Sequence, residues 1–149
     1  MSASLREEWF VPTLSEPISH YTHAVSFGDL VFVSGCTATD EEGGLVGGEN
    51  VELQTEQVLR NLEEALVAAG SSLKHVLKVT LYLTDIRDRE RINIARQRLF
   101  GDVRPASTLV EVSKLAIEGA RVEIEAIACK AHAAVRGLED GAMLTDGRG

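Results

Sequence analysis

Arg104-Pro-Ala-Ser-Thr-Leu-Val-Glu-Val-Ser-Lys-Leu115 and, after a short turn, Arg121-Val-Glu-Ile-Glu-Ala-Ile-Ala128 decide how the rest of the chain is read. Val122, Ile124, Ala126 and Ala128 alternate with other residues in the second run, and Val110 and Val112 are one apolar step apart in the first. Period-two alternation rich in β-branched residues predicts two half-buried strands. Pro105 lacks an N–H and has a fixed φ, which suits a strand entry rather than its middle. The alternation places Glu123 and Glu125 together on the face opposite Val122 and Ile124. Two carboxylates on one strand face ordinarily mark a wet sheet surface. The functional alternative is that one of them lines a cleft and handles protons.

Working outward, Val76 to Thr84 alternates Leu77, Val79, Leu81 and Leu83 against Lys78, Thr80 and Tyr82, a third strand. Between it and the first run, Asp88 can cap a helix reaching about Phe100, with Ile92, Ala95 and Leu99 on one face and Gly101 as its stop. Upstream, Asn50 offers an N-cap to a helix over about 51–69, about 28 Å long at ~1.5 Å per residue. Its stripe of Val58, Leu62, Ala65, Leu66 and Ala69 is core, and Gly70 is the C-terminal stop. Two short apolar runs between His23 and Gly35 flank Gly28-Asp29, a hairpin signal. Asp40–Gly48 contains four glycines and three acidic residues and reads as a surface loop. Residues 1–16 form a loose lead-in, with Trp9-Phe10-Val11 as the segment able to tuck against the body. Residues 17–131 form the domain, and 132–149, without sustained periodicity, a flexible tail. The order β-β-α-β-α-β-β implies an α+β fold with both helices on one sheet face, leaving the other face as an oligomer surface.

Composition narrows the partners. The 149 residues suit one domain, and 44% hydrophobic with 26% charged residues is ordinary for a globular protein. A formal net charge of −8 repels a phosphate backbone, so nucleic acid is not an expected partner. Arg87, Arg89, Arg91, Arg96 and Arg98 are interleaved with Asp85, Asp88 and Glu90, the pattern of a solvated helix face. No apolar run approaches the ~20 residues needed to cross a bilayer, and the N-terminus lacks a signal-peptide pattern. A cytoplasmic protein is expected. Cys36 and Cys129 form no C-x-x-C, so neither a disulfide framework nor a zinc site is indicated. His20 and His23 lack a third ligand nearby and read as polar lining or surface, and Cys36 lacks a sequence-local base that would make it a nucleophile.

Ser19-His-Tyr-Thr-His-Ala24, Val31-Phe-Val-Ser-Gly35, Val79-Thr-Leu-Tyr-Leu-Thr-Asp85, Arg104-Pro-Ala106 and Val122-Glu-Ile-Glu-Ala-Ile-Ala128 resemble the RidA (YjgF) family of imine and enamine deaminases. The resemblance runs from about Pro17 to Ala131. It implies a chorismate-mutase-like fold, a homotrimer with clefts at the subunit interfaces, and hydrolysis of small imines or enamines without metal or organic cofactor. It further implies that Glu123 positions or activates water and that Tyr21 is the pocket tyrosine. Gly35, Cys36, Ser107, Leu109 and Arg104 are the implied substrate-binding positions. One departure stands out. Deaminating members read Pro-Ala-Arg-Ser/Thr, and the arginine grips the substrate carboxylate; here the stretch is Pro105-Ala106-Ser107-Thr108. Arg104 sits on the far side of Pro105, and Cys36 replaces a common glutamine. Retained Glu123 and Tyr21 favour a hydrolase with altered substrate choice. The missing arginine favours a non-catalytic metabolite-binding or regulatory trimer. A ribonuclease role, also attached to the family, is opposed by the charge.

Overall fold

The structure, a computed structural model, describes residues 5–134. Residues 135–149 of the expected tail lie outside the described residues, while 131–134 complete a helical turn. Six strands form one mixed sheet: β1 (Arg6–Trp9), β2 (Ala24–Phe27), β3 (Leu30–Cys36), β4 (Val76–Leu83), β5 (Ala106–Glu111) and β6 (Val122–Cys129). Their spatial order is β1-β2-β3-β6-β4-β5. Helix α1 (Val51–Ala68) lies across β3 and β6, and α2 (Arg89–Phe100) packs against α1. The α+β architecture with one helical layer therefore matches the expectation from the strand and helix periods.

Each element has a local cause. Gly28 supplies the positive φ of 59° that closes the two-residue turn between β2 and β3. Oδ1 of Asn50 accepts from the amides of Glu52 and Leu53 at 3.0 and 3.1 Å, so α1 starts where the sequence places its cap. Gly70, at φ 85°, ends it. On β6, Val122, Ile124, Ala126 and Ala128 are buried under the helices with Val31, Val79, Leu81, Leu62 and Leu66. That burial is the main driving force for the fold, at roughly 25 cal/mol per Å² of apolar surface.

Three features differ from the sequence reading. Arg6-Glu-Glu-Trp9 carries no apolar alternation, yet it pairs antiparallel with β2 as an edge strand. Trp9 Nε1 donates to Ser26 Oγ at 2.9 Å and the Thr22 hydroxyl donates to Trp9 O, so the segment expected as loose lead-in is fixed by polar contacts. The N-cap position of α2 is Asp88, as expected, but its carboxylate makes no capping bond. Its Oδ2 accepts from Arg121 Nη2 at 2.8 Å instead, tying the start of α2 to the entry of β6. On β5, Leu109 pairs with Leu81 and packs toward the core, while Val110 remains 38% exposed on the opposite face. The register of the parallel β4–β5 pair, invisible in either strand alone, decides which apolar residue goes inside.

Candidate functional site

A cleft of about 750 Å³ opens at the end of β3. Its floor is Ser34-Gly35-Cys36 together with Glu123 from β6, and the segment Phe10–His23 forms one wall, including Tyr21. Ala116, Ile117 and the acidic loop Glu41–Gly43 line other parts. The wall is held by a few buried polar contacts. The amide of Val11 donates to Nδ1 of His23 at 2.9 Å, which leaves Nε2 as the protonated nitrogen donating to Ser15 O at 2.9 Å. Both ring nitrogens of His23 are thus engaged in shaping the loop, and no group of three or more metal-ligating side chains gathers among the described residues. The Ser34 hydroxyl donates to Thr22 O at 2.6 Å, fastening the wall to the floor.

The floor depends on a β-bulge. Val33 pairs with Ala126 and Cys36 with Ile124, so three steps along β3 match two along β6. The extra residue brings the Gly35 backbone against the side chain of Glu123. A Cβ built on Gly35 would overlap Oε1 of Glu123 and lie 2.9 Å from its Cδ. Any side chain at this position would displace the Glu123 carboxylate, although the backbone angle itself would admit one.

Glu123 and Glu125 share a sheet face, as the alternation predicts, but the structure separates their roles. The Tyr82 hydroxyl donates to Glu125 Oε1 at 2.6 Å, and Glu125 does not line the cleft. Glu123 does, and burial, with a smaller contribution from the Glu125 charge, pushes its carboxyl above the ordinary carboxylate range. Cys36 sits beside it on the same floor. Burial and then the Glu123 charge push its thiol up to about 12, so it is a protonated, inert group at neutral pH. Tyr21 is 46% exposed at the rim, its hydroxyl accepting from the Ile18 amide at 3.4 Å.

Within one chain, Tyr21, Gly35, Cys36 and Glu123 come together, whereas Ser107, Leu109 and Arg104 do not join them. Ser107 pairs with Val79, whose side chain is in the core, and Glu123 pairs with Tyr82 on the other face. Ser107 Oγ accepts from Nη2 of Arg96 at 3.1 Å. Arg96, on α2, is a contact that sequence reading missed: it appears in the chain as one more charge on a solvated face. Arg104 lines a smaller recess with Arg96. The cleft itself contains Glu16, Glu41, Glu42 and Glu123 and neither lysine nor arginine, so it is anionic.

Residues 13–130 match the family described as Endoribonuclease L-PSP. The chain belongs to this RidA/YjgF family. Reactive Intermediate Deaminase A of Arabidopsis thaliana, a chloroplastic protein, is 36% identical over 130 residues, covering 86% of this chain and 69% of that protein. The crystal structure of a putative endoribonuclease from Thermotoga maritima is 42% identical, with a TM-score of 0.76 over 83% of this chain and 98% of that one. E. coli TdcF, solved with bound serine, is 28% identical, with a TM-score of 0.77 over 84% and 99% of the two chains. The family match takes in strands β2 to β6, the cleft-forming β3 and β6 included. No helix among the described residues is long and apolar enough to cross a membrane.

Proposed function

We propose that this protein hydrolyses a small imine or enamine, releasing ammonia and a carbonyl compound, with Glu123 as the proton-handling group. The observation that carries this reading is the Glu123 carboxyl, half-buried over Gly35 on the floor of a cleft and shifted upward by burial. Imine hydrolysis needs one proton removed from the attacking water and one delivered to the departing nitrogen. A carboxyl group with a raised pKa is present in both protonation states closer to neutrality and serves each step in turn. Water adds to the carbon of the protonated imine as Glu123 takes one of the water protons. Glu123 returns that proton to the nitrogen of the adduct, and as the C–N bond breaks the carboxylate takes the remaining hydroxyl proton, leaving carbonyl and ammonia. Tyr21 at the rim is a second hydroxyl available to orient the substrate.

Charge directs substrate choice. A cleft lined by four glutamates and no cation favours a neutral or protonated imine and repels a substrate carboxylate. Ser107 cannot supply the missing charge. The native protein is therefore expected to handle 2-imino acids such as 2-aminoacrylate weakly or not at all. The same charge argues against RNA. A non-catalytic metabolite-binding trimer is the second reading, favoured by the lack of a cation in the cleft.

The homotrimer belongs to this proposal. Phe27, Leu30, Phe32 and Val110 are each 38% exposed or more and share the sheet face away from the helices. Covering that face with further copies would bury apolar surface. Any role of Ser107, Leu109 or Arg104 in substrate binding requires such a neighbour, because one chain keeps them out of the Glu123 cleft. The cytoplasm is the compartment proposed, in keeping with two free cysteines.

Ammonia release from an enzymatically generated imine, measured against buffer, tests the activity. Glu123→Gln should keep fold and assembly and lower turnover by about a hundredfold or more. Unchanged turnover would remove Glu123 from the mechanism, and ligand binding without turnover in the native protein would favour the second reading. Light scattering should give a mass near three times that of the chain, and a stable monomer would refute the trimer.

A further inference from the structure

A second recess of about 360 Å³ lies between the C-terminal half of α2 and the segment leading into β5. Asn93, Arg96 and Gln97 from the helix, the Gly101 turn, and Arg104 with Pro105 from the segment line it. Two arginines and two carboxamide residues thus line one small space, and no aspartate or glutamate does. It shares no residue with the Glu123 cleft.

Several other arginines of the domain are paired with carboxylates. Arg87 pairs with Asp85, Arg98 with Glu52 and Glu56, and Arg121 with Asp88. Among the described residues Arg96 forms no ion pair; its one hydrogen bond goes to the Ser107 hydroxyl at 3.1 Å. A guanidinium has five N–H donors in a planar fork, so most of those on Arg96 remain available. Partial burial also strips water from Arg96 and lowers its pKa, with no nearby carboxylate acting in the other direction. Its charge is neither fully hydrated nor countered by protein.

Shape and charge select what could counter it. A guanidinium fork matches the paired oxygens of a carboxylate or phosphate. The net charge of −8 works against a long polyanion, which must also cross the surrounding surface, far more than against a small ion seated within the recess. The negative end of the α2 dipole, near Phe100, opposes an anion, but this effect is weaker than a pair of charge-assisted hydrogen bonds. We propose that the recess between α2 and β5 binds a small oxyanion, a carboxylate or a phosphate group, held by Arg96 and Arg104. The carboxamides of Asn93 and Gln97 supply further donors to its oxygens.

Isothermal titration of the full chain with inorganic phosphate and, separately, with malonate tests the site and tells the two sources apart. Saturable binding of either anion is expected, weakened at least tenfold by Arg96→Gln and abolished in Arg96→Gln/Arg104→Gln. Arg60→Gln removes the same charge from an exposed position of α1 and should change affinity less than twofold. Phosphate binding alone assigns the site to phosphorylated ligands, and malonate binding alone to carboxylates; each supports it. No saturable binding of either anion up to about 10 mM, undiminished binding in the double variant, or an equal loss in Arg60→Gln overturns it. Thermal unfolding without ligand confirms that each variant is folded. Should Arg96→Gln fail to fold, Arg104→Gln, altered at an exposed side chain, decides by the same tenfold criterion.

Discussion

Glu123 and Ser107 project from opposite faces of one sheet, and the cleft around Glu123 and the recess beside Ser107 carry opposite charge. Glutamates at four positions line the first, with no lysine or arginine, and two arginines line the second, with no carboxylate. Both are reached from β4: Glu123 is in register with Tyr82, and Ser107 with Val79. Tyr82 and Val79 are an odd number of residues apart, so pleating sends their partners to opposite sides. Residues that a linear motif gathers into one site are divided by the parity of strand register. What one chain keeps apart, only a second copy could reunite.

The contrast can be broken most severely at the cleft floor. Gly35→Ala puts a methyl group where the Glu123 carboxylate lies. Because that group must move by about an ångström, turnover of any imine substrate should fall on the order of a hundredfold, with little change at the Arg96 recess. Equal turnover in native and Gly35→Ala protein would show that the position of Glu123 is not critical.

A smaller effect is expected from adding charge at the other region. Ser107→Arg supplies a guanidinium of the kind deaminating relatives use, and a charged hydrogen bond is worth ~1.5–3 kcal/mol. At about 1.4 kcal/mol per factor of ten, release of 2-oxo acid from 2-aminoacrylate should rise on the order of tenfold to a hundredfold. The neighbouring Arg96 guanidinium repels the new one, so the lower end is expected. No increase, with the assembly intact, would mean that Ser107 does not face a substrate even across a subunit boundary.

The smallest effect concerns stability. Burial raises the Glu123 pKa above the ordinary glutamate range, so the native state binds a proton more tightly than the unfolded chain does. Stability linked to this group is therefore highest below the unfolded value and declines as pH rises through the folded value. Glu123→Gln, which cannot ionise, should melt higher than native protein at pH 7, and the gap should close as pH falls toward about 4. A gap that widens on acidification would contradict the burial of this carboxyl.

Local chemistry alone determined much of this protein. The alternation of Val122 to Ala128, the Asn50 cap, the Gly28 turn and the Gly70 stop are each written within a few residues, because pleating, capping and positive φ act at that range. The stretches 19–24, 31–35, 79–85, 104–106 and 122–128 together were enough to indicate the family. Tertiary structure decided what depends on partners distant in sequence. Arg6-Glu-Glu-Trp9 became a strand because β2 offered an unpaired edge. Asp88 gave its carboxylate to Arg121 rather than to its own helix. Glu123 was distinguished from Glu125 by Tyr82 and by the bulge at Gly35, and Arg96 reached Ser107 across the gap between helix and strand. In each case two side chains compete for one polar group or one face, and only their positions in space determine which succeeds.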